Sequence, residues 1–265
     1  MNIQMATASS SLSQTQKKID TIANNIANVN TAGYKSREAT FQNLLTQTYA
    51  NQTGEATEPG RETPENLRVG FGSKIGLTTL RNEQGSAQET GRDLDVMLEG
   101  ENVYFRTQNG DSIHYTRDGS FELQNQNGTL SLVNNSGNPI LDTSGNAITF
   151  NSDPAKLAIS DTGEIVATDA TGNEQTYQLS IAKINRPEAL TNVGGNEFSL
   201  QDTEQLELVA PGEEFKTRQG FLEMSNVDLA NETTEMISTQ RLLQFQSQAI
   251  KMADEMMGLA NTIKR

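Results

Sequence analysis

Residues 220–265 read GFLEMSNVDLANETTEMISTQRLLQFQSQAIKMADEMMGLANTIKR, and this stretch decides the architecture. Leu242, Ala249, Met256 and Ile263 are spaced by seven, and Phe245, Met252 and Leu259 each stand three further on. Apolar residues at that spacing line one side of an α-helix. Met236, Leu243, Ile250 and Met257 form a second row beside the first, so the apolar face is wider than a two-stranded seam requires. Proline and glycine are absent from 221 to 257, and Asn226 or Asp228 can cap the start, which predicts a helix over about 229–263.

The opposite end repeats the pattern. Met5, Leu12, Ile19 and Ile26 are spaced by seven, with Ala8, Thr15, Ile22 and Val29 each three on, which predicts a helix over about 3–29. It should stop at Asn30-Thr31-Ala32-Gly33, where Gly33 can take the left-handed conformation that closes a helix. Two helices paired only with each other bury one seam. The C-terminal stripe is broader than that, which favours contacts between copies of the chain over a helix pair closed within a monomer.

The middle has a different texture. Short β-type runs occur at 74–80, 95–105, 113–117, 120–124, 129–134, 147–150, 156–160, 164–168, 176–184 and 204–209. Turn signals such as Asn109-Gly110, Asp118-Gly119, Asn127-Gly128, Thr162-Gly163 and Thr171-Gly172-Asn173 separate them. Close turns and short strands imply an antiparallel β domain. The fold class read from the chain is therefore α+β. Two terminal helices form a coiled-coil-like assembly domain, with a central, mostly antiparallel β domain between them in sequence. The divisions fall at 1–49 (helix and junction), 50–68 (extended connector rich in Glu, Thr, Gly and Pro), 69–215 (β domain) and 216–265 (C-terminal helix).

Charge and composition exclude several functions. The net charge of −14 sits in residues 51–219, while 1–50 carry +2 and 220–265 carry −2. An acidic middle is the wrong sign for nucleic acid, and near-neutral ends can pack against copies of themselves without much repulsion. Aromatic residues are 5% of the chain, there is no Trp, and the mean hydropathy is −0.58, thin material for a deep small-molecule pocket. There is no Cys, hence no disulfide, thiolate ligand or cysteine nucleophile. The first 30 residues contain no apolar signal-peptide core, and no apolar run reaches membrane-spanning length. By ordinary rules that predicts a cytoplasmic protein.

Candidate chemistry is sparse. His114 is the sole histidine and sits in an alternating run, where it reads as a strand side chain rather than a base. Acidic pairs such as Asp93 with Asp95, or Glu213 with Glu214, have no apolar cleft beside them and read as solvated surface. The Asp142 and Asp169 turns lack the ligand count and the late Glu of a calcium loop. Gly70, Gly72 and Gly76 lack the Lys-Ser/Thr of a phosphate cradle. No catalytic, cofactor-binding or metal-binding residue is assigned, and no small-molecule substrate is expected.

Several segments resemble the bacterial flagellar rod and hook protein family. IANNIANVNTAGYK at 22–35 is similar to that family's signature, as is REATFQNLLTQTY at 37–49. VGFGSKIGLTTLRNEQGSAQETGRDLDVMLEGENVYF at 69–105 and YTRDGSFEL at 115–123 resemble further landmarks, with distal rod members the nearest in kind. Residues 220–265 resemble the family's terminal helix throughout, whereas 125–210 match loosely. Arg92 and Asp93 stand where the family more often carries a neutral pair.

The resemblance implies a secreted structural subunit, not an enzyme. Such a subunit is exported unfolded by the flagellar type III apparatus without a cleaved signal, which overrides the cytoplasmic expectation. It implies a helical polymer of the chain with itself, with other rod and hook proteins as partners, in the basal body within the cell envelope. Both terminal helices would surround an export channel, with the β domain outside. Met5, Leu12, Ile19, Ile22, Ile26 and Val29 would pack between subunits from the first helix. Leu242, Phe245, Ala249, Met252, Met256, Leu259 and Ile263 would do so from the last. Asn24, Asn25, Asn28 and Asn30, with Gly33 and Tyr34, form the family's junction motif; their amides can bond neighbouring subunits or close the chain turn. Other readings are a proximal rod or hook subunit, a secreted surface or adhesin protein with ordered ends, and a hydrolase using acidic pairs.

Overall fold

The computed structural model describes residues 3–43, 46–49, 67–70, 73–126, 128–151, 154–201, 206–210 and 215–263. They fall into two compact units, one from 1–26, 37–79 and 229–265 and the other from 27–36 and 80–228. Within the expected connector at 50–68, residues 50–66 lie outside the described residues, and Leu67 and Arg68 open a strand.

The first unit contains α1 (Ile3–Ala27), β1 (Arg37–Asn43), β2 (Thr46–Tyr49), β3 (Leu67–Gly70), β4 (Ser73–Leu80) and α2 (Leu229–Ile263). β1 pairs with β4, and β2 pairs antiparallel with β3. α2 runs through 35 residues with no proline, and its one glycine, Gly258, falls in the last two turns. α1 stops two residues short of the heptad pattern. Asn28 draws the chain into a turn, its carbonyl accepting from the Thr31 amide at 3.2 Å and its Oδ1 from the Thr31 hydroxyl at 3.2 Å.

The second unit is antiparallel wherever its register is described. Its strands are β5 (Ala87–Glu89), β6 (Val96–Glu99), β7 (Val103–Asn109), β8 (Ser112–Thr116), β9 (Glu122–Gln126), β10 (Thr129–Val133), β11 (Thr149–Phe150) and β12 (Pro154–Ile159). They continue with β13 (Glu164–Asp169), β14 (Glu174–Gln178), β15 (Ile181–Ile184), β16 (Leu190–Gly194), β17 (Glu197–Leu200), β18 (Leu206–Leu208), β19 (Lys216–Gln219) and β20 (Phe221–Glu223). The largest sheet runs β16-β17-β8-β7-β15-β18, with three-stranded sheets β11-β10-β9 and β12-β13-β14 and the pairs β19-β6 and β20-β5. The Asn109-Gly110 signal makes the β7–β8 hairpin, where Asn109 faces Ser112.

The pleat of β7 sends alternate side chains to two cores. Val103 and Phe105 join Phe121, Leu132, Ile140, Ile148, Phe150, Ile165 and Ile181 in the larger one. Tyr104 turns to the other face with Tyr115, Ala182, Ile184, Leu190 and Phe198. Gly119 sits in a tight bend closed by the Ser120 amide on Asp118 Oδ1 at 3.0 Å, and a Cβ there would collide with the Val96 carbonyl, so the absent side chain permits two backbones to meet. Phe121 sits edge-on to Phe105, 5.1 Å between centroids, and is fully buried. Phe121→Ala should therefore remove about 3–5 kcal/mol of stability. Urea unfolding of the full chain followed by near-ultraviolet circular dichroism should show a lower midpoint at unchanged slope, and an unmoved midpoint would refute this account of the core.

Candidate assembly faces and the helix junction

In the first unit α1 and α2 run antiparallel. Thr15 Oγ1 donates to Gln246 Oε1 at 3.1 Å, Lys18 Nζ meets Glu235 Oε1 at 2.5 Å, and Asn25 Nδ2 reaches Glu232 Oε1 at 3.1 Å, so rising numbers in one helix meet falling numbers in the other. The covered residues of α2 form one heptad seam: Glu232, Met236, Thr239, Leu243, Gln246, Ile250 and Ala253 are buried or half-buried. In α1 the most buried residues are Thr15, Ile22 and Asn25, while Leu12, Ile19 and Ile26 are half-buried, as is Val29 beyond its end.

The other apolar row of α2 is open. Leu242 is 46% exposed, Phe245 66%, Met252 58%, Met256 65% and Leu259 64%, with Ala249 exposed among them. Each of the first four, Ala249 included, precedes a seam residue by one, which places the open row about 100° round the helix from the seam. The side chains of Met5 and Ile263 lie outside the described residues.

The junction motif divides between the units. Asn25 is buried and clamps the start of β1: its Nδ2 donates to the Arg37 carbonyl at 2.9 Å and its Oδ1 accepts from the Arg37 amide at 3.0 Å. Asn24 is exposed and donates back to the Asp20 carbonyl at 2.9 Å. Asn28 makes the turn already described, Asn30 is exposed, and Tyr34 is half-buried. In the second unit Gly33 adopts φ +68°, its amide donates to the Glu223 carbonyl at 2.8 Å, and a Cβ would strike the Asp118 amide nitrogen. Glycine is required there on both counts. Asn226 is not a helix cap; its Oδ1 accepts from Ser36 N at 2.8 Å and its Nδ2 donates to the carbonyls of Arg81 and Glu83.

Sequence reasoning missed the buried ionic cluster beside Gly33. Glu223 Oε1 accepts from Lys35 Nζ at 2.6 Å and from Gly85 N at 2.9 Å, and Oε2 accepts from Arg117 Nη1 at 3.0 Å. All three charged side chains are 1% exposed. Arg117 also donates to the carbonyls of Leu98 and Gly100 and lies 5.5 Å from the centroid of the Tyr104 ring. Burial pushes the Lys35 ammonium below the usual lysine range, against the opposing pull of Glu223. Burial likewise pushes the Tyr104 hydroxyl up to about 12.

His114 belongs to a second buried polar group. Its Nδ1 lies 2.8 Å from Glu197 Oε2, while Glu197 Oε1 accepts from Asn134 Nδ2 at 2.6 Å and Asn138 Nδ2 at 2.7 Å. Burial works to raise the Glu197 pKa, but bonds from Asn138, His114 and Asn134 together hold it below 4.5. Thr107 Oγ1 also donates to Glu197 Oε1 at 3.3 Å, so the group holds three strands, β7, β8 and β17, and a turn together. Among the described residues no group of three or more His, Asp or Glu is placed to hold a metal ion, and no helix is long and apolar enough to cross a membrane.

These features define the class of α+β proteins whose N- and C-terminal helices pair with each other and are separated in sequence by a β unit. Residues 5–35 match the model described as flagella basal body rod protein, and 97–167 that of the flagellar hook protein FlgE/F/G D1 domain. Residues 218–263 match the flagellar basal body rod FlgEFG protein C-terminal model. The chain is similar over 98% of its length to the flagellar hook-basal body complex protein FlhP of Bacillus subtilis, at 36% identity and 98% of that protein. It is 36% identical to the flagellar basal-body rod protein FlgG of Borreliella burgdorferi, covering 98% of this chain and 97% of that one. To FlgG of Bacillus subtilis it is 35% identical over 94% of each. The chain belongs to the flagellar basal-body rod and hook protein family, whose members are structural subunits of the basal body in the cell envelope.

Two outcomes are expected. Asn25→Ala would leave the Arg37 amide and carbonyl unpaired, at a cost of about 1–3 kcal/mol. Hydrogen exchange should show loss of protection in β1 with the core strands unchanged, and uniform protection would count against the clamp. Because the folded pKa of Glu197 lies below 4.5, its contribution is complete above that value and is lost as pH falls through the folded pKa. Glu197→Gln should therefore flatten the acid limb of stability below about pH 4.5. An acid titration of melting temperature that overlays the wild type would contradict it.

Proposed function

We propose that this chain is a subunit of the flagellar rod, in its distal segment, that polymerises with copies of itself and joins other rod and hook proteins. The polymer is a hollow helical shaft that carries torque and surrounds the path of later exports, and the chain itself reaches it through the flagellar type III apparatus. Its role is mechanical rather than catalytic. Head-to-tail contacts of this kind generate open helical assemblies.

The observation that carries the reading is the open row Leu242, Phe245, Ala249, Met252, Met256 and Leu259 on a helix whose neighbouring seam is already covered. A contiguous apolar face left in water is a contact waiting for a partner. Ile263 extends the row in sequence, and Met5 continues in sequence the half-buried Leu12, Ile19 and Ile26 of α1 and Val29 beyond it as the corresponding face, whereas Ile22 is buried within the chain. The α1–α2 pair becomes coiled-coil-like when copies pack side by side. FlgG relatives favour the distal position; likeness to FlhP, named for the hook-basal body complex, keeps a proximal rod or hook-side position as the second reading.

Phe245→Gln places an amide in the middle of the open row. It should change the unfolding free energy of the dilute chain by no more than about 0.5 kcal/mol, as exposed substitutions do. The same variant should be missing from purified basal bodies, and cells relying on it should not swim. Normal incorporation would remove the row from the subunit interface.

A further inference from the structure

We infer that Met252 and Met256 are an oxidation site for peroxides, open in the free subunit and closed by assembly. The first half stands on the structure; the second rests on the interface reading above. The chain has eight methionines. Among those with described side chains, Met97 is 4% exposed, Met224 and Met236 are half-buried, and only Met252 and Met256 are open, at 58% and 65%. They stand four apart on one helix face, between Phe245 and Leu259. Reactive thioethers thus occupy the surface that a neighbouring subunit has to cover.

The chemistry is a two-electron oxidation. A sulfur lone pair attacks one oxygen of hydrogen peroxide to form an S–O bond, the O–O bond breaks, and the departing hydroxide takes the proton from the oxygen now on sulfur, leaving sulfoxide and water. The product sulfoxide is polar and chiral. On the solvated helix its oxygen is hydrated, so the fold of the free chain is undisturbed. Pressed against apolar side chains of a neighbour it would have no donor, and burying an unpaired acceptor is unfavourable. Oxidation therefore disables joining without unfolding the subunit, and methionine sulfoxide reductases can reverse it.

The test treats the dilute full chain, and basal bodies purified with it, with hydrogen peroxide and follows each sulfoxide by mass spectrometry. In the free chain Met252 and Met256 should oxidise about tenfold or more faster than Met97, because susceptibility follows exposure. In basal bodies both should slow by a comparable factor. Equal rates at Met97 and at the pair in the free chain overturn the site. Equal rates for the pair in free and assembled chain overturn its closure, and with it the interface assignment, while leaving the site in the free chain standing. Peroxide-treated wild-type chain should enter basal bodies less than untreated chain, the double variant Met252→Leu/Met256→Leu should lose that difference, and Met252→Gln/Met256→Gln should fold with unchanged circular dichroism yet be absent from them. Recovery of the Gln variant at wild-type levels refutes the block on joining.

Discussion

One buried carboxylate organises the second unit. Glu223 draws Lys35, Gly85 and Arg117 to its two oxygens, and its own carbonyl takes the Gly33 amide. Segments up to 188 residues apart in sequence meet there. Ions removed from water lose hydration that mutual attraction only partly restores, so such a cluster is weak as a source of stability. Its strength is selectivity. A chain that brings any one of these segments to the wrong place leaves a charge buried without a partner, and that misfolded alternative is costly. Gly33 adds a steric condition, since only a residue without Cβ can lie against the Asp118 backbone.

The helix pair divides its labour by side-chain type. The seam within the chain is stitched by Thr15, Asn25, Glu232 and Gln246, polar groups with directional bonds, and by the ion pair of Lys18 with Glu235. Directional bonds set register more than they contribute free energy. The more strongly apolar side chains of α2, Phe245 and the two methionines among them, are left outside. An exposed row would be a defect in a monomer; in a polymerising subunit it concentrates the non-directional driving force where copies meet.

Much of this was legible from the chain, for identifiable reasons. α2 has the bounds that its pattern predicts because its apolar rows continue through Gly258 and neither glycine nor proline occurs in the helix before it, and the β7–β8 hairpin follows from Asn109-Gly110. The run 95–105 was read as one strand, but Gly100 at φ 143° and Asn102 at φ 58° turn the chain between β6 and β7. β16 escaped notice because Thr191–Gly194 are all exposed and show no alternation. The two rows of α2 were both visible, but not which one α1 would cover; that choice depends on bonds to Thr15 and Asn25. Lys35, Arg117 and Glu223 were unreadable as a cluster, since a charged residue defaults to the surface and its distant partners leave no periodic trace.

The adjacency of Gly33 and Glu223 also governs the order in which the protein can fold. α1 is made first, yet the residue that Thr15 bonds lies 231 positions later. Closing a flexible loop of that length costs about 5 kcal/mol in chain entropy. Once the second unit has formed, Gly33 and Glu223 are bonded to each other, so the stretch of chain still open between the two helix sequences is short. A chain delivered from its N-terminus therefore holds its first helix only by local contacts such as the Asn25–Arg37 clamp, and the partner that covers the α1 seam arrives last.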